Sequence, residues 1–149
     1  MMGKAVLLDS GFLIRLMDEN DSLHLVTYNL FRKFVKSGVS CKVSTIALAE
    51  YGVKGNIRFL PTRYLQFVPF SFDHAGRASE FMRRIIQVKR ERGALIQPRV
   101  IIPNDTKMFA QASVEPDIYA FVSADAEAKK IYSLLDSPGF EIVNIREMQ

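Results

Sequence analysis

Apolar runs and polar breaks divide the chain into short strands alternating with amphipathic helices. Ala5-Val-Leu-Leu8 is apolar without alternation, the pattern of a strand buried on both faces at the centre of a parallel sheet. It runs straight into Asp9; Ser10-Gly11 then turns the chain, and Phe12 to Met17 restarts it with helical potential. Asp18 to Ser22 is a polar loop with helix-start residues. Leu23 to Lys36 follows as a helix with Leu23, Val26, Leu30 and Phe34 on one face, stopped by Ser37-Gly38. Val39 to Thr45 alternates and is β-branched, which predicts a second strand, and Thr45 can cap a helix through Val53 that Gly55-Asn56 ends. Phe59 to Thr62 reads as a connection or a short helix.

Leu65 to Phe72 is a third strand, and Pro69 within it points to a sheet edge. Asp73 caps a long helix to about Arg92, with Ala78, Phe81, Met82, Ile85, Ile86 and Val88 as its apolar positions. Between Gly93 and Pro103 no pattern wins: Ala94 to Ile96 fits a helical extension or a loop, and Val100 to Ile102 is too short to assign. Asn104 is the expected N-cap of a helix from Asp105 to Ser113. Asp117 to Ser123 is a fourth strand, Ala126 to Leu135 a helix, Ser137-Pro-Gly139 a turn, and Phe140 to Ile145 a fifth strand. Strands alternating with helices through short connections predict an α/β fold with a parallel sheet. No repeat, low-complexity tract or linker divides residues 1–149, so one domain is expected.

Composition changes this picture little but excludes several chemistries. A chain of 149 residues, 48% hydrophobic and 24% charged, has the make-up of a soluble globular domain. A formal charge of +4 and a pI near 9.3 favour a polyanionic partner. The lone Cys41 allows no intrachain disulfide and reads as a small buried hydrophobe in a reducing compartment. His24 and His74 have no Cys or His at zinc-ligand spacing. No apolar run approaches the ~20 residues of a membrane helix and no signal-peptide layout opens the chain, so a cytoplasmic protein is expected.

Four acids stand out by placement. Asp9 and Asp125 each end an apolar strand, Asp105 opens a helix, and Glu50 lies in the second turn of the helix after the second strand. In a parallel sheet the strand ends and following helix starts share one edge, where open α/β folds place their ligands. Like charges brought that close raise one another's pKa values. Such a cluster makes sense around a hard divalent cation, and an all-oxygen shell points to Mg²⁺ or Mn²⁺. The ion lowers the pKa of a bound water and neutralises phosphate charge, the chemistry of phosphodiester hydrolysis. Each acid also has a structural use. Asp105 suits a helix N-terminus and Asp125 a helix cap, whereas no helix cap explains Asp9 as well.

Leu8-Asp9-Ser-Gly-Phe-Leu-Ile14, Ser44-Thr-Ile-Ala-Leu-Ala-Glu50-Tyr51, Asp105 with Ala110 and Ala112, and Val122-Ser-Ala-Asp125 together resemble the PIN-domain nucleases in order, spacing and context. The small single-domain ribonucleases that act as toxins in bacterial and archaeal toxin–antitoxin pairs (VapC-like) look nearest. The resemblance implies a three-layer α/β/α fold with a five-stranded parallel sheet in the order 3-2-1-4-5. It also implies Asp9, Glu50, Asp105 and Asp125 as metal-binding catalytic acids, Ser10 and Ser123 supporting them, and often a homodimer. Many members carry Asn two residues after the first Asp; here Gly11 stands there, and a supporting hydrogen bond is lost. Asp117 competes with Asp105 for the third role, and Asp105 matches better because small residues follow it on one helix face.

Arg77, Arg83, Arg84, Lys89, Arg90 and Arg92 crowd the long helix, where they can track a phosphate backbone, meet a protein partner or simply face solvent. Tyr28, Tyr51, Tyr64 and the Phe residues could stack on bases, but most are expected in the core. The expected function is a Mg²⁺- or Mn²⁺-dependent endoribonuclease leaving 5′-phosphate and 3′-hydroxyl ends, with RNA as substrate and a cognate antitoxin as the partner of a toxin. The alternative is a catalytically inactive PIN-like RNA- or protein-binding module, for which Gly11 is the best support. A different Mg²⁺-dependent phosphotransfer domain is a third option, but its glycine-rich phosphate loop is not evident.

Overall fold

A computed structural model describes residues 4–95 and 101–149. Its centre is β1 (Ala5–Leu8), whose four residues are fully buried. Parallel neighbours flank it on both sides: β2 (Ser40–Ser44) aligns Cys41 with Val6, and β4 (Ile118–Ser123) aligns Val122 with Leu8. The outer strands are β3 (Leu65–Val68) and β5 (Glu141–Asn144), giving the order 3-2-1-4-5 that the resemblance implies. β3 is short and at the edge, as Pro69 foretells.

Helices cover both faces. α1 (Ser10–Met17) packs on α2 (His24–Lys36) and α3 (Thr45–Lys54), while α5 (Asn104–Val114) packs on α4 (Phe72–Glu91) and α6 (Ala126–Ser133). Crossovers between parallel strands are right-handed, so the chain lays α1 to α3 on one face while moving outward from β1 and α4 to α6 on the other while returning. The core between the layers is apolar and aromatic. Phe109 of α5 meets Phe121 of β4 edge-on, with ring centroids 4.9 Å apart, and Phe140 at 5.6 Å. Cys41 is buried there, and burial pushes its thiol up to about 12, so it behaves as a hydrophobe.

Several helix starts differ from the sequence expectation. Ser44, not Thr45, caps α3 by accepting Ile46 N–H. Ser71, not Asp73, caps α4, where its hydroxyl accepts His74 N–H and His74 Nδ1 accepts Ser71 N–H in return. Asn104 is the first helical residue of α5, after a Pro103 cap that has no side-chain bond. In each case more than one residue had cap chemistry, and the place where the backbone leaves extended geometry decided. Two short 3-10 turns, Ile57–Phe59 and Thr62–Tyr64, fill the connection after α3. Of the undecided stretch from Gly93 to Pro103, residues 96–100 lie outside the described residues. Most Phe side chains and Tyr51 are buried, but Tyr28, Tyr64, Phe59, Phe67 and Phe72 are exposed. No helix among the described residues is long and apolar enough to cross a membrane.

Candidate active site

The carboxyl edge of the sheet opens into a cleft of about 680 Å³ lined by Asp9, Glu50, Asp105 and Asp125 together with Ser10 and Gly11. All four sequence-predicted acids converge there, because each follows a strand end or sits in the first turns of a helix that starts at that edge. Asp117 lies at the opposite edge, where it pairs with Lys42 Nζ at 2.7 Å and passes its backbone carbonyl to Ala5 N–H.

Asp9 is buried at the end of β1 and, against the sequence expectation, it is a helix cap: its Oδ1 accepts Phe12 N–H at 2.7 Å. The Ser123 hydroxyl also hydrogen-bonds the Asp9 carboxylate and accepts Asp125 N–H at 3.0 Å. Ser123 thereby ties two acids together. Burial dominates these bonds and, with Asp125 nearby, raises the Asp9 carboxyl to about 6. Asp105 is likewise raised to about 6, first by burial and then by Asp9, Asp125 and Glu50. Asp125 caps α6 by accepting Glu127 N–H at 2.9 Å and is otherwise exposed. Glu50 Oε2 accepts Asn104 Nδ2–H at 3.4 Å, while its Oε1 is buried with no partner among the described residues.

These observations fit a hard divalent cation. The donors are carboxylate oxygens, one of them is buried with no partner among the described residues, and the electrostatic cost of gathering them is the cost that a cation removes. Among the described residues no three acids stand as a closed set of metal ligands.

Sequence reasoning missed Arg15 and Arg146, the two basic residues that line the cleft among the described residues. Arg15 Nη1 donates to Gly11 O at 3.0 Å, and Arg146 Nε donates to Ala124 O at 2.9 Å. The rule that located the acids also reaches these positions: Arg146 follows the end of β5 by two residues, and Arg15 lies one helical turn beyond Gly11. The basic residues of α4 do not line the cleft. Arg77 is committed to Glu80, to Ser113 and to the Phe81 ring, and Arg83, Arg84, Lys89 and Arg90 face solvent.

A PIN-like α/β fold carrying a carboxylate-lined cleft at its carboxyl edge is thus the class of structure. No family model matches the sequence, and no curated protein does. Solved structures do. The chain is similar to one in the crystal structure of VapBC2 from Rickettsia felis bound to a DNA fragment from their promoter. That match has a TM-score of 0.61 at 18% identity and covers 94% of this chain and 98% of the other. It is also similar to a chain of DNA-bound VapBC from Salmonella typhimurium, with a TM-score of 0.55 at 16% identity, over 97% and 99% of the two chains. At such identities the likeness is one of fold.

Proposed function

We propose that the chain is a metal-dependent endoribonuclease and the toxin of a toxin–antitoxin pair. The observation that carries the reading is the convergence of Asp9, Glu50, Asp105 and Asp125 on one cleft, where burial and then the other three acids raise Asp105. The fold likeness to chains of VapBC complexes supports a cognate antitoxin as partner, while RNA as substrate, a homodimer as the assembly and the cytoplasm as the location rest on the sequence resemblance to VapC-like ribonucleases. The four acids would hold Mg²⁺ or Mn²⁺, which when bound would supply a nucleophilic water at neutral pH and offset phosphate charge. The chain's own part is orientation. Phe12 N–H and the Ser123 hydroxyl fix the Asp9 carboxylate, Asn104 holds one oxygen of Glu50, and Ser10 lines the floor beside Asp9.

Incubation of a broad transcript pool with the protein in Mn²⁺, with EDTA and Asp9→Asn as controls, tests this directly. Cleavage leaving 5′-phosphate ends, lost in both controls, is expected. RNA binding with no cleavage by wild type in Mn²⁺ sinks the enzyme reading and leaves the inactive binding module.

A further inference from the structure

Gly11 and Arg15 form a unit beside Asp9, whose charge Arg15 helps to hold. A side chain at position 11 would place its Cβ 2.8 Å from Arg15 Nη1 and 3.5 Å from Asp9 Oδ1. The guanidinium therefore occupies, beside Asp9, the space that a residue larger than glycine would take. We propose that Arg15 is a positioning residue for the substrate's phosphate backbone, admitted to the cleft by Gly11. This rests on reading the cleft as an RNA-cleaving site.

Charge and donor accounting support the assignment. A cleft lined by four carboxylates repels a phosphodiester, and Arg15 and Arg146 are its only lining cations among the described residues. They stand on different elements, α1 and the turn after β5, and so can flank a backbone laid across the acids. Guanidinium has five N–H donors in a planar fork suited to phosphate. In Arg15 the Gly11 carbonyl takes one of them. Nε is buried with no hydrogen-bond partner among the described residues. The carboxylate paired with it, Asp21 Oδ1, stands at 3.9 Å, beyond hydrogen-bond reach. A guanidinium serving the fold alone would be forked onto that carboxylate. This one has a single hydrogen-bonded anchor at Gly11 O and a loose ion pair to Asp21, and its Nη2 makes no hydrogen bond among the described residues.

Binding of a 2′-O-methyl RNA oligonucleotide, which separates binding from cleavage, tests the role. Affinity in Mn²⁺ is measured across a salt series for wild type, Arg15→Met, Arg15→Lys and Gly11→Ala. Mn²⁺-induced thermal stabilisation is recorded for each. Arg15→Met is expected to weaken binding about tenfold and to flatten the slope of log affinity against log salt by about 0.7, one phosphate contact on a single strand. Arg15→Lys should fall between, since it keeps the charge and loses the fork. Gly11→Ala should weaken binding in the same direction by pushing Nη1 aside, while melting no lower than wild type, because alanine is the better helix residue. All variants should keep the Mn²⁺ response. Arg15→Met binding RNA with wild-type affinity and slope overturns the proposal and makes Arg15 an internal counter-ion for Asp9. A wild type that takes up Mn²⁺ yet binds no RNA overturns the RNA reading of the cleft, and the role of Arg15 with it.

Discussion

At Asp9 the helix cap and the charge cost are separable, since asparagine keeps the first and removes the second. Asn Oδ1 can still accept Phe12 N–H, and asparagine is as good an N-cap as aspartate. The carboxyl, raised from 3.8 to about 6, disfavours the ionised fold by up to roughly 3 kcal/mol. Because its folded pKa lies above its unfolded one, that penalty is complete above about pH 6 and fades to nothing below about pH 4. Asp9→Asn should therefore stabilise the metal-free protein by about 1–2 kcal/mol at pH 7, after the weakened Ser123 bond is subtracted. The gain should shrink steadily as pH falls and vanish near pH 4. Urea unfolding in EDTA across that range measures it. Asp9→Ala removes the cap as well and should be about 1 kcal/mol less stable than Asp9→Asn at every pH.

The helix that carries Asp105 has no side-chain N-cap, so its position is set from farther along. Gln111 Nε2 donates to Val68 O at 3.0 Å, Arg77 Nε to Ser113 Oγ at 2.9 Å, and His74 Nε2 lies 3.2 Å from Glu115 Oε2. These contacts bind α5 to β3 and α4. Gln111 is fully buried, and Gln111→Ala leaves the Val68 carbonyl unpaired beside a cavity. A loss of about 2–4 kcal/mol is expected from chemical denaturation, with a weaker Mn²⁺ response because Asp105 is less firmly placed. None of these ties was legible in the sequence, since each joins residues that periodicity cannot relate. The elements themselves were legible because their signals are local: four apolar residues in β1, a proline at the edge of β3, one apolar face on α4. The acids were legible for a related reason, as topology sends every strand end to one edge. The cap of Asp9 escaped because Ser10-Gly11 resembles a turn, whereas the helix begins directly at Ser10. Arg15 escaped because its place beside Asp9 depends on what Gly11 lacks, and an absent side chain leaves no pattern.

Across the whole molecule, four elements deliver like charges to one cleft, so the metal-free fold and the metal-bound fold should answer pH in opposite senses. Without metal, the contribution of Asp9 and Asp105 falls as pH rises through about 6, because the fold holds their protons more tightly than the unfolded chain does. With Mn²⁺ present, those same protons compete with the ion, and stabilisation by metal should grow over the same range. At pH 7 and a hundredfold excess over Kd, Mn²⁺ should add about 2.7 kcal/mol to wild type. The difference between wild type and Asp9→Asn isolates the effect from other titrating groups. In EDTA the variant should be the more stable at pH 7 and equal near pH 4; in saturating Mn²⁺ the order at pH 7 should reverse. Thermal unfolding of both proteins in EDTA and in a Mn²⁺ titration, at pH 5 and pH 7, decides the matter. A wild type indifferent to Mn²⁺, with Asp9→Asn melting lower in EDTA, would make Asp9 a structural hydrogen-bond acceptor. The carboxylate cleft would then serve binding without catalysis. The reversal of order is the outcome that no purely structural role of Asp9 can produce, because a cap and a hydrogen bond contribute equally with and without the ion.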